Sequence, residues 1–137
     1  MSRQKIRHIL VPLDGSKNSQ RGLETAIHLA KEHEASLTAI FVIHPMQKKD
    51  SLKQKLEEVP PSFILQAKKL ASKSAVPFHS RILTGDPGHA IVEYAHTRDI
   101  DLIVMGARGL STFKKIFLGS VSSYVLNKSK IAVMLIK

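Results

Sequence analysis

The chain has no cysteine and no tryptophan, and among its 137 residues only two tyrosines and five phenylalanines. The missing cysteines exclude disulfides, thiolate nucleophiles and cysteine-based zinc sites, although they say little about compartment. Any chemistry must use oxygen and nitrogen groups. The shortage of aromatic rings is poor material for the base stacking on which single-stranded nucleic acid sites rely. No apolar run approaches the roughly 20 residues that span a bilayer. The start, "MSRQKIRHILVPLDG", enters a strand pattern without the apolar core of a signal peptide. These absences lead us to expect a soluble, cytoplasmic protein with no membrane partner. The length suits one domain over residues 1–137 with a real hydrophobic core.

Acidic residues are also scarce: 11 Asp and Glu stand against 21 Lys and Arg, a formal net charge of +10. Such a balance favours an anionic partner, whether nucleotide, nucleic acid or acidic surface, without choosing among them. The lysines are scattered along the chain and form no basic arm.

Strand and helix patterns alternate throughout. A strand over Ile6 to Leu13 ends in "DGS", whose Ser16 can cap a helix in which Leu23, Ala26, Ile27 and Ala30 share one face. A second strand covers Ser36 to His44. The polar stretch 45–61 reads as a short helix stopped by Pro60 and Pro61. Pro61 then opens a second amphipathic helix with Phe63, Ile64, Ala67, Leu70 and Ala71 on its inner side. "VPFHSRILTG" is a third strand and "DPGHAIVEYAHTRD" a third helix, burying Ile91, Val92 and Ala95. "DLIVMG" has the continuous apolar character of a strand covered on both faces. A fourth helix over Ser120 to Asn127 and a last strand, "KIAVMLIK", complete an α/β chain with a parallel sheet flanked by helices. Internal repeats and long linkers are lacking.

The stretch "GARGLSTFKKIFLGSVSS", Gly106 to Ser123, sets three glycines among basic and hydroxyl residues directly after the fourth strand. Gly106 and Gly109 are expected to leave that strand in positive-φ conformations and to bring backbone N–H groups near a ligand. Gly119, where positive φ is likewise expected, precedes Ser120 and a helix N-terminus, where a phosphate is favoured. Ser120 and Ser122 can add hydroxyl donors, and Arg108, Lys114 and Lys115 can add charge. Ligands of open α/β sheets bind beyond the carboxyl ends of the strands where strand order reverses. If the first and fourth strands are neighbours there, "DG" and "GARG" share one crevice.

The spacing Gly106, two residues, Gly109, nine residues, Gly119-Ser120 resembles the nucleotide-binding signature of the universal stress protein family, in its ATP-binding subgroup. "ILVPLDGSKNSQRGLETAIHLAKEH" is similar to that family's opening and "GDPGHAIVEYAHTRDIDLIVMGARG" to its middle. The resemblance implies a Rossmann-like, adenine nucleotide alpha hydrolase-like sheet of five strands in the order 3-2-1-4-5. It implies ATP as ligand, with AMP or ADP as alternatives and Mg2+ as a companion ion. Adenine and ribose would lie near Pro12, Asp14 and Val42. Met105 and Gly106 would line the cleft, Arg108 and Gly109 approach the phosphates, and Gly119, Ser120, Val121 and Ser122 close over them. Dimerisation through the last strand, apolar on both alternating sets, is expected from its place at a bare sheet edge and is implied by the family as well.

Other constellations are weaker. His89, Glu93 and His96 recur at helical spacing, but structural zinc usually requires four ligands, and a solvated face is the simpler reading. Asp99 and Asp101 flank a strand start and are expected to cap and turn the chain. No Ser-His-Asp relay or carboxylate pair stands out, so we expect no catalytic residues and hydrolysis that is slow or absent. The function expected is a nucleotide-responsive regulatory module acting on an unidentified protein partner. The alternative is a basic adaptor for nucleic acid or protein with a residual nucleotide cleft.

Overall fold

The computed structural model describes residues 5–44, 55, 59–108 and 118–137. Gly109, Lys114, Lys115 and nearly all of the expected short helix in 45–61 lie outside them. In chain order the elements are β1 (His8–Pro12), α1 (Lys17–His33), β2 (Ser36–Ile43), α2 (Ser62–Lys73), β3 (Phe78–Thr84), α3 (Pro87–Thr97), β4 (Leu102–Gly106), α4 (Ser120–Lys128) and β5 (Ala132–Ile136). They form one five-stranded sheet in the order β3-β2-β1-β4-β5, with every pairing parallel. The expected order and class both hold.

Alternation along the central strands sorts side chains between two apolar layers. Ile9 and Val11 of β1, Leu37 and Ala39 of β2, and Leu102 and Val104 of β4 meet Leu23, Ala26 and Ala30 of α1 and Ile64, Ala67 and Ala71 of α2. Leu10, Ile40, Ile103 and Met105 point the other way, onto Ile91, Val92 and Ala95 of α3 and Val125 of α4. Strands covered on both faces must be apolar at successive positions, and "ILV" and "LIVM" are. Among the described residues no helix is long and apolar enough to cross a membrane.

Local signals set the ends. Ser16 caps α1, its side chain accepting from Ser19 N at 3.0 Å, and Asp86 caps α3 by accepting from His89 N at 3.1 Å. Pro61 occupies the cap of α2, one position before the place expected for it. Asp101 does not cap its own segment. Its Oδ2 accepts the N–H groups of Arg7 and His8 at 2.8 and 2.9 Å, which fastens the start of β1 to the start of β4. His89 faces Glu93 at 3.1 Å, whereas His96 Nε2 accepts the Lys130 N–H at 3.0 Å. The three are thus not directed at a common point.

Candidate nucleotide-binding cleft

Beyond the carboxyl ends of β1, β2 and β4 lies an open cleft of about 260 Å³. The reversal of strand order creates it, because the chain leaves β1 toward α1 on one face and leaves β4 toward α4 on the other. Ten of the eleven residues singled out from the sequence line it: Pro12, Asp14, Val42, Met105, Gly106, Arg108, Gly119, Ser120, Val121 and Ser122. Gly109 is outside the described residues. The sequence reading missed Leu13, Ser19, Ile40, Phe41, Pro87 and Ile91 as lining. Of these, the sequence had marked Ile91 only as core and Leu13 only as the end of a strand, and the other four were not singled out.

On the strand side, β1 gives way to a turn. Leu13 N donates to Ile40 O at 2.8 Å, keeping the two strands together one residue past the ladder. Asp14 Oδ1 accepts the Ser16 N–H at 2.9 Å, an Asx turn that closes around Gly15 at φ +85°. Ser19 turns its hydroxyl back to Ser16 O at 2.9 Å. The remaining wall is apolar, from Ile40, Phe41, Val42 and, across the cleft, Ile91. Asp14 is the one acidic residue in the lining, and no histidine is among the described residues there.

The loop side is organised by hydrogen bonds between segments far apart in sequence. Asn18, in the first turn of α1, donates from Nδ2 to Ile136 O at 3.0 Å and accepts the Arg108 N–H on Oδ1 at 2.7 Å. Ala107 N donates to the same Ile136 carbonyl at 2.8 Å, and Gly119 N donates to Ala107 O, also at 2.8 Å. The two ends of the glycine segment are therefore closed on each other. Ser122, 3% exposed, donates its hydroxyl to Gly106 O at 2.9 Å.

Three expectations need correction here. Gly106 has no positive φ; it is glycine because a Cβ would stand 2.5 Å from Asn18 Oδ1 and 3.0 Å from the Asn18 carbonyl carbon. Gly119 has φ −70° and ψ 164°, an ordinary N-cap conformation open to most residues. The Ser122 hydroxyl proton is committed to Gly106 O and is not free to donate to a ligand. Asn18 escaped the sequence reading altogether. Its one signal was an amide side chain of low helix propensity placed inside a helix.

Gly119 brings no side chain to the start of α4, so the first-turn N–H groups have no side-chain cap where they border the cleft. By contrast, α1 and α3 fill that position with Ser16 and Asp86. One end of the cleft is apolar, and the other carries N–H donors, the positive end of a helix dipole and the exposed Arg108. Such an arrangement can hold a ligand that is flat and apolar at one end and anionic at the other.

A model of the universal stress protein family matches residues 5–137. The relative "Universal stress protein MJ0531" of Methanocaldococcus jannaschii is 32% identical over 96% of this chain and 82% of its own length. The fold is similar to that of the universal stress protein UspA from Lactobacillus plantarum, with a TM-score of 0.84 and 30% identity over 98% of this chain and 100% of that one. It is also similar to a universal stress protein solved in complex with cAMP, with a TM-score of 0.76 and 27% identity over 97% and 98% of the two chains.

Proposed function

This chain belongs to the universal stress protein family, and on that premise we propose that its cleft binds an adenine nucleotide, ATP foremost, with AMP or ADP as alternatives. The observation that carries the reading is the uncapped N-terminus of α4 at one end of a cleft whose other end is apolar. Adenine packs against Val42, Phe41 and Ile91, and the ribose lies by Pro12 and Asp14. The phosphates meet the N–H groups of Ser120 to Ser122, with Arg108 alongside. A volume near 260 Å³ lies close to the roughly 300 Å³ at which small-molecule sites begin, so the base is enclosed and the phosphates stay near solvent. The relative that holds cAMP supports the choice of nucleotide class. Mg2+ would be held chiefly by the phosphates, since Asp14 is the sole carboxylate among the described residues of the lining.

In this reading the protein is a cytoplasmic regulatory module whose nucleotide state is sensed by a protein partner. Hydrolysis is slow or absent, because the one carboxylate among the described lining residues, Asp14, is tied to the Ser16 N–H at the nucleoside end of the cleft. The second element of the reading is a homodimer. Among the described residues β5 pairs only with β4, and of its two alternating sets Val133 and Leu135 pack on the α3 and α4 side while Met134 remains 37% exposed. A second β5 would cover that edge. Sedimentation at micromolar concentration should show a dimer that Val133→Lys converts to monomer. A wild-type monomer would remove this element and leave the nucleotide reading standing.

Calorimetric titration with ATP, with and without Mg2+, tests the central claim. Saturable binding in the micromolar to low millimolar range is expected. Asp14→Asn, which keeps an oxygen for Ser16 N–H, should weaken adenosine, AMP and ATP alike. No heat of binding at millimolar ATP would sink the proposal.

A further inference from the structure

On the far side of Arg108 from the cleft is a second hollow, of about 470 Å³. Its lining is Lys17, Asn18, Arg21, Ala107, Arg108 and Lys137, brought together from the start of α1, the exit of β4 and the end of β5. Four of these six side chains are cationic and none is acidic. Lys17 and Arg21 are one helical step apart and face the same way. Arg108 is placed on the rim because Asn18 Oδ1 holds its backbone N–H, and the residue lines both the hollow and the cleft. The Asn18 amide donates to Ile136 O and accepts from Arg108 N, so both its nitrogen and its oxygen are engaged, and the charge is carried by the walls.

Like charges that converge repel one another, and a protein of net charge +10 has no electrostatic reason to gather them. The Arg98 guanidinium, by contrast, has an aromatic partner, 5.3 Å from the Tyr94 ring centroid. Among the described residues, Lys17, Arg21 and Arg108 have no carboxylate paired with them. The N-terminus of α1 is not what attracts an anion here, since Ser16 already caps it.

We propose that this hollow is a second anion site, separate from the cleft, which takes a small polyphosphate group. Two guanidiniums favour bidentate phosphate oxygens, and Lys17, Arg21 and Arg108 together exceed what one carboxylate could neutralise. Among the described residues the lining contains no aromatic side chain, which argues for a compact anion over a stacked nucleic acid strand. Because Arg108 borders both spaces, an anion in the hollow competes for its guanidinium with a phosphate in the cleft. The site stands whether or not the cleft takes a nucleotide.

The probe is inorganic tripolyphosphate, titrated calorimetrically into the full chain at low and physiological salt. One equivalent should bind, and Lys17→Glu with Arg21→Glu should weaken it about tenfold or more, since charge-assisted contacts to phosphate are the strong ones. A control pair, Lys68→Glu with Lys69→Glu, makes the same change in net charge on α2 and should leave affinity within about twofold, as expected for screened distant charges. If the reversed pair fails to fold by thermal melt, Lys17→Gln with Arg21→Gln replaces it. Absence of binding at millimolar probe would overturn the proposal, as would equal losses in the control. So would a loss on Val42→Trp, which fills the cleft, with none on changing Lys17 and Arg21.

Discussion

The wall of the cleft that ends β1 and β2 stands on Leu10, Val11 and Ile40, all 0% exposed, while the opposite wall, from Gly106 to Arg108 and Gly119 to Ser122, stands on hydrogen bonds. Packing holds the first: its strands are covered on both faces, and its shape is that of the core continued outward. Directional contacts hold the second, from Asn18, Ile136, Ala107 and Ser122, each joining parts of the chain distant in sequence. The difference suits a nucleotide. A base needs a fixed apolar slot, whereas phosphates need donors held at set positions.

Substitutions can separate the two walls. The largest effect is expected at Gly106→Val, where the new Cβ meets Asn18 at 2.5 Å. Overpacking of this kind costs about 1–3 kcal/mol, so melts should fall by roughly 5–10 °C and ATP binding should be lost. Gly106→Ala with Asn18→Ala should melt higher than Gly106→Ala alone, because truncating Asn18 removes the closest contact. A Gly106→Ala protein with wild-type melting and ATP affinity would show that the loop wall is not fixed sterically.

Next in size is Val42→Trp, which fills the strand wall from a half-buried position. Adenosine and ATP should weaken together, by about tenfold or more, with melting almost unchanged; loss of ATP alone would place the base elsewhere. Arg108→Ala comes third. The side chain is exposed, so a loss of about fivefold is expected for ATP, less for AMP and none for adenosine, shrinking as salt rises. Equal losses for all three ligands would assign Arg108 to the strand wall.

Ser122→Ala should have the smallest effect on binding. It leaves Gly106 O without its hydroxyl partner, a cost of about 1 kcal/mol in stability, and should reduce ATP affinity only about twofold to threefold through a looser loop. A loss beyond about thirtyfold with unchanged melting would mean that the hydroxyl touches the ligand.

The contrast between the walls also explains what could be read in advance. Val42 and Pro12 were legible only through the family resemblance; apolar alternation gave the strands that carry them and the general place of a ligand beyond strand ends. Gly106 and Gly119 were legible by spacing, but the reason given for them was wrong: one avoids Asn18 and the other adopts φ −70°. Asn18 and Ile136 are 118 positions apart, and nothing local to either predicts their contact.

By itself the sequence determined the alternation of strands and helices, the side chains turned inward, the excess of basic charge, and the glycine spacing that resembles one family. Those properties are local, or sums over the chain, and periodicity and composition carry them. Only the tertiary structure decided that Asp101 would fasten β1 and that Ser122 would support Gly106. It also decided that Asn18 would bind both β5 and Arg108, and that Lys17, Arg21, Arg108 and Lys137 would gather in one hollow. Such pairings depend on which strands become neighbours and on directional contacts between their ends, and a hydrogen bond between distant segments leaves no period in either.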